Sequence, residues 1–332
     1  MKTLRSSSPT RGYLITLIGT AIWSAAAIFI GYLSTRFRMP PLVLAFWRDF
    51  FVACTLFLVL ALVARPLLHL ERQHLLFFVL YGLVLAVFNA IWTVSVALNG
   101  AAVGTALIHS SPAVTALVGW RWWGERLDVL KICAIVLSIV GVAFTSGAYD
   151  PAAWQLNPVG IVVGVAAGVV FAAYSLMGKL SSKRGINPWT ATFYSFAIGA
   201  TFLLCLQRPG TFLWLSRPLA DGPAGWRAAA LGWGAMVLLA VGPTLGGYGL
   251  YTVGLTYLPA STANLIVTLE PAMTATLAFV FLGERFTHPE LLGGGLILAG
   301  VVLLRLSDRV ANGAYARLQA SRPRAQPTDL KT

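Results

Sequence analysis

The chain has 332 residues, of which 58% are hydrophobic and 11% charged, and its formal net charge is +13. Soluble domains carry about a quarter of their residues as charged side chains, so this composition excludes a soluble globular protein and predicts an integral membrane protein. Continuous apolar runs predict membrane helices, whereas a membrane β-barrel needs short alternating segments. Cys54, Cys133 and Cys205 are isolated within these runs, which predicts neither a disulfide framework nor a metal site.

Ten apolar runs reach or approach the length that crosses a bilayer, about 17 to 25 residues. They cover residues 13–32, 42–63, 75–98, 102–120, 130–145, 158–178, 189–206, 228–254, 261–282 and 290–305. The predicted fold class is therefore all-α integral membrane, with ten transmembrane helices in two halves of five. The predicted parts are a cytoplasmic segment at 1–12, a first half at 13–147, a second half at 148–306 and a basic cytoplasmic tail at 307–332. The polar tail from Ala311 predicts disorder.

Residues 91–142 repeat at 250–301 with a constant offset of 159 and no gap. The match pairs Pro112 with Pro271, Gly141 with Gly300, and Gly124-Glu125-Arg126 with Gly283-Glu284-Arg285. Weaker matches pair Trp23-Ser24 with Tyr174-Ser175, and Pro41 with Pro188. Because five is an odd number of crossings, the second half enters the membrane from the opposite side, so the halves are inverted repeats. Such a duplication is typical of carriers and predicts a site in a central cavity between the halves.

Lysine and arginine residues predict the orientation, because cytoplasmic segments carry most of them in such proteins. Counting them favours cytoplasmic N- and C-termini in a multi-pass protein of the bacterial inner membrane. The positive charge then reflects topology and attraction to anionic lipid. Nucleic-acid binding is not expected, since no basic run is interleaved with exposed aromatic residues. A cleaved signal peptide is disfavoured because the first apolar run continues to Tyr32.

A proline followed by Gly-Glu-Arg closes the fourth helix of each half. In this pattern the chain resembles the drug/metabolite transporter superfamily, specifically its ten-helix EamA-type members. In its aromatic content and overall layout it is most similar to the bacterial aromatic amino-acid exporters among them. The resemblance implies a secondary transporter that exports small metabolites, aromatic or neutral amino acids first, by alternating access. It also implies that helices 1 to 4 and 6 to 9 line the cavity. The main alternative substrates are hydrophobic or cationic drugs or another small metabolite; a channel or membrane scaffold is a remote alternative.

An enzyme is not expected, because no catalytic pair stands at helical spacing. No cofactor is expected either. The expected partners are a small-molecule substrate, either an aromatic amino acid or an amphipathic cation, and membrane lipids. A glycine ridge at Gly160, Gly164 and Gly168 predicts close helix packing within a monomer, or alternatively the face of a weak homodimer.

The candidate substrate site consists of polar and aromatic residues that recur at matching positions of the two halves. Polar side chains that face lipid are costly, so such a pattern predicts contact with protein or water. Aromatic rings near mid-span are suited to stack on a flat or cationic ligand. The candidates are Trp23, Ser24, Asn89, Trp92, Thr93, Thr105, His109, Tyr174, Ser175, Tyr248, Tyr251, Asn264 and Thr268. For each of them, helix packing or bonding to the helix's own backbone is the alternative.

A second polar stripe, formed by Ser111, Thr115, Glu270 and Thr274, lies on another face of the same two helices and is the rival cavity lining. His109 and Glu270 lie near the centres of partner helices, where they suit proton coupling; a neutral, hydrogen-bonded state is the alternative. Pro112, Pro243 and Pro271 interrupt their helices and predict hinges, or else fixed kinks.

Two further charged positions have structural interpretations. Arg48 starts near a helix end, which favours a side chain that extends to the membrane interface; the alternative for a charge inside an apolar helix is a function or a partner. Its neighbour Asp49 is not expected to pair with it, because adjacent helix residues point to different faces. Glu125 and Glu284 are expected to stabilise helix junctions with Arg126, Arg285 or the positive ends of neighbouring helices.

Overall fold

The structure is a computed structural model, and it describes residues 9–125, 127–145, 147, 149–151, 158–207, 225–282 and 287–320. Arg126 and the second motif copy, Gly283-Glu284-Arg285, lie outside these ranges. The helices of the first half are α1 (Pro9–Ser24), α2 (Ala26–Arg36), α3 (Pro41–Val63), α4 (Leu75–Ile108), α5 (Ser111–Trp123) and α6 (Val129–Thr145). Those of the second half are α7 (Pro158–Lys183), α8 (Pro188–Cys205), α9 (Gly225–Leu239), α10 (Leu245–Tyr257), α11 (Ala260–Val267), α12 (Glu270–Leu282) and α13 (His288–Ala320).

Short elements complete this helical chain. Two 3₁₀ turns, Arg65–Leu68 and Arg72–His74, connect α3 to α4, and a π-helical turn at Ala240–Thr244 connects α9 to α10. The described ranges contain no β-strand. Each predicted span is helical over its described residues, apart from local breaks and end residues.

The outer surface is suited to lipid. Five helical stretches are long and apolar enough to cross a membrane: Pro9–Ser34, Pro41–Val63, Arg72–Trp92, Val159–Lys183 and Ala230–Tyr257. Shorter apolar helices lie at Val129–Phe144 and Leu291–Leu304. Large apolar side chains such as Leu62 and Val162 are exposed along these helices, an arrangement that water would penalise and hydrocarbon does not. The protein is therefore an all-α, multi-pass membrane protein.

Three prolines set the positions of helix breaks. A proline lacks the N–H that pairs with the carbonyl four residues earlier, and its ring clashes with that carbonyl. Accordingly α4 ends at Ile108 before Pro112, α9 ends at Leu239 before Pro243, and α11 ends at Val267 before Pro271. Each helix thus ends four residues before its proline, as the chemistry requires.

The breaks in the fourth predicted span of each half are related by the repeat. The first falls at His109 and Ser110, and the second at Thr268 and Leu269, which are the same positions at the 159 offset. Both halves therefore contain a discontinuous helix at an equivalent place. In transporters with inverted repeats, such interruptions are typical of the binding site.

The third predicted span was expected to end as a helix near residue 100, and this prediction is wrong. Helical hydrogen bonding continues through it to Ile108. The segment is nevertheless not straight, since Ser95 and Leu107 both approach the Cβ position of Gly164, whereas a straight helix would separate them by about 18 Å. Chain direction along α7 agrees: Tyr81 and Ser95 meet it in antiparallel order at Gly178 and Gly164. Leu107 and Ser110 then meet α7 in parallel order, at Gly164 and Gly168. The chain therefore reverses its direction between Ser95 and Leu107, as two separate membrane crossings require.

The helices of the first half pack against those of the second half in matching pairs. The most extensive pairings are α6 with α13, α4 with α7, α1 with α10, α4 with α8, and α3 with α8. Gly164 and Gly168 allow α4 to approach α7 within the monomer, which confirms the first interpretation of the glycine ridge. The α6 and α13 pair meets through Gly141 and Gly300, the two repeat-matched glycines.

One prediction about the tail is wrong in part. Disorder was expected from Ala311, but α13 continues to Ala320. Residues 311–320 include four alanines together with Arg317, Leu318 and Gln319, all of which are good helix formers. Helix propensity therefore extends this helix beyond its apolar part.

Candidate functional site

An aromatic cluster occupies the centre of the molecule. The ring centroids of Trp23 and Tyr248 lie 4.1 Å apart, and those of Trp23 and Tyr251 lie 6.1 Å apart. Tyr174 contacts Tyr248 edge-on at 5.7 Å. Phe171 lies 6.0 Å from both Trp23 and Tyr251. These residues come from α1, α7 and α10, so the cluster joins the two halves, and four of its five members were candidates from sequence.

Sequence reasoning missed Phe171 and its neighbour Phe88, whose rings lie 5.0 Å apart. Phe88 also stacks on Trp92 at 6.3 Å. The sequence contained a signal for both phenylalanines. Phe88 stands four residues before Trp92 and Phe171 three residues before Tyr174, so each lies on the same helix face as a candidate residue. Through these contacts Trp92 belongs to the edge of the same aromatic cluster.

A polar triad borders the cluster on the side of α11. The Tyr251 hydroxyl lies 2.6 Å from the Ser175 Oγ and also contacts the Asn264 Oδ1, which is 2.9 Å from Ser175 Oγ. The Ser175 hydroxyl has a second acceptor in the Phe171 carbonyl, at 2.8 Å. The Asn264 Nδ2 is buried without a partner in the described part of the chain. A buried amide donor without an acceptor is costly, and a ligand oxygen would satisfy it.

The two predicted proton-coupling residues come together at the helix breaks. The His109 Nε2 lies 3.9 Å from the Glu270 Oε2, and both side chains are largely shielded, with 4% and 20% exposure. His109 lies in the break between α4 and α5, and Glu270 opens α12 just after the matching break. The His109 Nε2 has no hydrogen-bond partner among the described residues. The pair therefore lies at the two matched helix breaks, and its His109 Nε2 is available to a further hydrogen-bond partner.

A third polar group was misjudged from the sequence. The Arg48 Nε lies 3.2 Å from the Asp49 Oδ1, the Arg48 Nη2 donates to the Asn89 Oδ1 at 2.6 Å, and the Asn89 Nδ2 donates to the Asp49 Oδ2 at 2.7 Å. All three residues are at most 3% exposed. The predictions that Arg48 reaches the membrane interface and does not pair with Asp49 are therefore wrong. The adjacency rule fails because Asn89, on another helix, bridges the two side chains.

The remaining candidates are less central. Ser24 donates to the Ala21 carbonyl, and Thr268 donates to the Leu265 carbonyl, the backbone bonding weighed as their alternative role. Thr93 and Thr105 lie in α4, but their side chains are outside the described part of the structure. In the rival stripe, Thr115 bonds to its own helix backbone.

All candidates with described side chains are buried or half-buried. The described site is therefore in a closed arrangement, with aromatic rings against one another. A groove of about 530 Å³ between α3 and α8 lies on the outer face and contains none of the candidates. Its lining is almost entirely apolar, including Phe46, Phe57 and Phe193, so lipid chains suit it better than a polar substrate.

One end of the molecule carries a separate polar connection between the halves. Ser261, in the first turn of α11, donates to the Glu125 Oε2 at 2.7 Å, and the Lys131 Nζ lies 3.3 Å from the same oxygen. The Lys179 Nζ donates to the Leu255 carbonyl at 2.8 Å. Glu125 thus stabilises a helix junction as predicted, and Ser261 and Lys131 are its described partners.

The arrangement of two halves, matched helix breaks and a central aromatic and polar cluster defines a membrane carrier with inverted repeats. Residues 10–147 and 158–306 each match the family model described as EamA-like transporter family. Because these matches cover most of the chain, the protein belongs to the EamA-like transporter family, in agreement with the resemblance found in its sequence. The two matched segments also correspond closely to the two predicted halves.

Individual relatives share about a quarter of their residues with this chain. It is 25% identical to the "Uncharacterized inner membrane transporter YicL" of Salmonella typhimurium, over 91% of this chain and 97% of that protein. It is 26% identical to the "Threonine/homoserine exporter RhtA" of Escherichia coli, over 69% and 70%. An "Uncharacterized transporter" of Archaeoglobus fulgidus is 26% identical over 54% of this chain, and the match spans only 58% of that relative.

A crystal structure supports the architecture. It superimposes with a TM-score of 0.73 over 92% of this chain and 99% of the other, at 16% sequence identity. At that identity the likeness concerns the fold alone.

Proposed function

We propose that the protein exports neutral amino acids, aromatic ones first, across the bacterial inner membrane by alternating access, with both termini in the cytoplasm. The observation that carries the proposal is the central cluster, in which the rings of Trp23, Tyr248 and Tyr251 pack together and the Tyr251 hydroxyl contacts Asn264, whose Nδ2 has no partner among the described residues. Flat rings suit an aromatic side chain, and the Nδ2 donor of Asn264 suits a ligand oxygen such as one of a carboxylate. The relative named as a threonine/homoserine exporter supports amino acids as the class.

The alternative is efflux of amphipathic cations. The observation in its favour is Glu270, a partly shielded carboxylate three residues after Val267, which packs in the same hydrophobic cluster as Tyr248 and Tyr251. Aromatic faces and an acidic group together attract cationic ligands. The two candidates differ in one property of the substrate, which is whether it carries a carboxylate.

We further propose that His109 and Glu270 couple transport to protons. Their 3.9 Å separation is too long for a hydrogen bond, yet a small movement at the adjoining helix breaks would close it. Protonation of either group would change the attraction between them, which gives the breaks a means to respond to pH.

The test is counterflow transport by the purified protein in liposomes. The panel contains phenylalanine, tyrosine, tryptophan, threonine, a nucleoside and a cationic dye, with protein-free liposomes as the control. We expect saturable transport of at least one neutral amino acid, fastest for the aromatic ones. Transport of the dye with no movement of any amino acid would refute the amino-acid proposal and favour the drug-efflux alternative.

A further inference from the structure

The buried group of Arg48, Asp49 and Asn89 in the first half has no charged counterpart at the matching, described positions of the second half. The match of Pro41 with Pro188 places Ser195 and Phe196 at the positions of Arg48 and Asp49, and the 159 offset places Tyr248 at that of Asn89. There the Phe196 and Tyr248 rings pack edge-on with centroids 5.0 Å apart.

The same place in the architecture is therefore filled once by charges and once by neutral side chains. Burying an ion pair carries a desolvation cost that apolar packing avoids. Since the second half packs without charges, the fold does not require them at this position. The charged version in the first half therefore needs a reason beyond packing.

The hydrogen bonds of Arg48 leave part of its guanidinium available. A guanidinium has five N–H donors, and the group described above uses Nε toward Asp49 and one Nη2 donor toward Asn89. Arg48 has no other hydrogen-bond partner in the described ranges, and its Cζ lies 5.9 Å from the Trp92 ring centroid. The remaining N–H groups lie on the Nη side of the fork, which can receive a carboxylate.

The position of this guanidinium fits the aromatic cluster. Trp92 stacks on Phe88, and Phe88 contacts Phe171 at the cluster's centre. A ligand whose ring lies among these aromatic residues would therefore bring a neighbouring carboxylate toward Arg48.

We propose that Arg48 binds the α-carboxylate of the transported amino acid, with Asp49 and Asn89 as positioning residues that fix its guanidinium. The inference rests on the proposed amino-acid export and adds the group that selects the substrate. Asp49 neutralises Arg48 when the site is empty, and the substrate carboxylate shares the guanidinium when it is occupied. An amine without a carboxylate would bring a positive charge toward Arg48, so the same residue rejects decarboxylated analogues.

The experiment compares an acid with its amine. Liposomes contain the wild-type protein, Arg48→Lys, the double variant Arg48→Gln with Asp49→Asn, or the control Arg36→Gln, which alters an exposed arginine at the end of α2. Counterflow of labelled L-phenylalanine and L-threonine is measured, and 2-phenylethylamine serves as competitor. The double variant removes both charges at once, so no unpaired buried charge is left to unfold the protein.

The wild-type protein should prefer the amino acid to the amine. Loss of charge-assisted hydrogen bonds should raise the KM for amino acids about 10- to 100-fold, in Arg48→Lys and in the double variant, while the amine inhibits as well as before or better. Arg36→Gln should behave as wild type. A double variant with unchanged KM, or one that loses acid and amine recognition equally, would overturn the assignment of Arg48 while leaving amino-acid export in place. A wild-type protein that carries neither amino acid would overturn export itself.

Discussion

Replacing Asn264 with alanine should weaken transport far more than it weakens the fold. The Asn264 Oδ1 accepts from the Ser175 and Tyr251 hydroxyls, so its removal deprives both of an acceptor. Each has another partner nearby: Tyr251 can donate to the Ser175 Oγ at 2.6 Å, and Ser175 to the Phe171 carbonyl at 2.8 Å. The two remaining hydroxyls can therefore form a chain that ends at the Phe171 carbonyl, and we expect a loss of about 1 kcal/mol of folding stability.

The cost to binding should be larger, because the Nδ2 of Asn264 has no partner in the closed arrangement and is available to a ligand. A lost buried hydrogen bond is worth about 1 to 3 kcal/mol, which corresponds to roughly a 5- to 150-fold change in affinity. The assay is the concentration dependence of counterflow in liposomes, alongside the thermal unfolding midpoint in detergent. Thr276→Ala is the matched control, because Thr276 is exposed on α12 and bonds only to its own helix backbone.

The outcome separates a binding role from a structural one. A raised KM with nearly unchanged thermal stability is the expected result. An Asn264→Ala protein that folds normally and transports with wild-type KM would refute the reasoning, since the amide would then make no contact with substrate. Equal effects in Thr276→Ala would show that the loss is not specific to the central triad.

Three other predictions follow from the same structure. Glu270→Gln should make transport independent of pH while retaining exchange of substrate, because glutamine cannot release a proton; pH profiles of counterflow decide this, and a profile like that of wild type would exclude Glu270 as the coupling group. Gly141→Leu and Gly300→Leu should each destabilise the protein by about 1 to 3 kcal/mol through overpacking, since an added Cβ would meet backbone atoms of the facing helix at under 3 Å; thermal melts with unchanged midpoints would contradict the close packing of α6 and α13. Reporters fused at Thr10 and at Asp150 should read cytoplasmic and external respectively, as the distribution of basic residues indicates; the reverse readings would invert the assigned orientation.

The sequence was informative wherever chemistry acts locally or repeats. The helix breaks before Pro112 and Pro271 follow from the missing proline N–H, and the repeat placed His109 and Glu270 on partner helices, where the structure holds them 3.9 Å apart. The aromatic cluster was anticipated by pairing Trp23 with Tyr174, since symmetric positions near mid-span converge on the axis between the halves.

What the sequence did not reveal depends on contacts between distant segments. The pairing of Arg48 with Asp49 is bridged by Asn89, 40 residues further along, and no rule for an isolated helix includes that residue. Phe171 was overlooked because one phenylalanine in an apolar helix looks the same whether it faces lipid or the centre. The helical continuation past residue 100 escaped prediction because the limits of the spans were taken from apolar runs, whereas helical hydrogen bonding continues from one run into the next.

The helix breaks before Pro112 and Pro271 have a consequence for mutagenesis. Each of these prolines leaves a main-chain carbonyl without its usual helical donor, at Ile108 and Val267. At Pro243 the π-helical turn shifts the bonding by one residue instead. No side-chain substitution at Ile108 or Val267 removes the oxygen atom, so alanine scanning reports nothing about these two carbonyls.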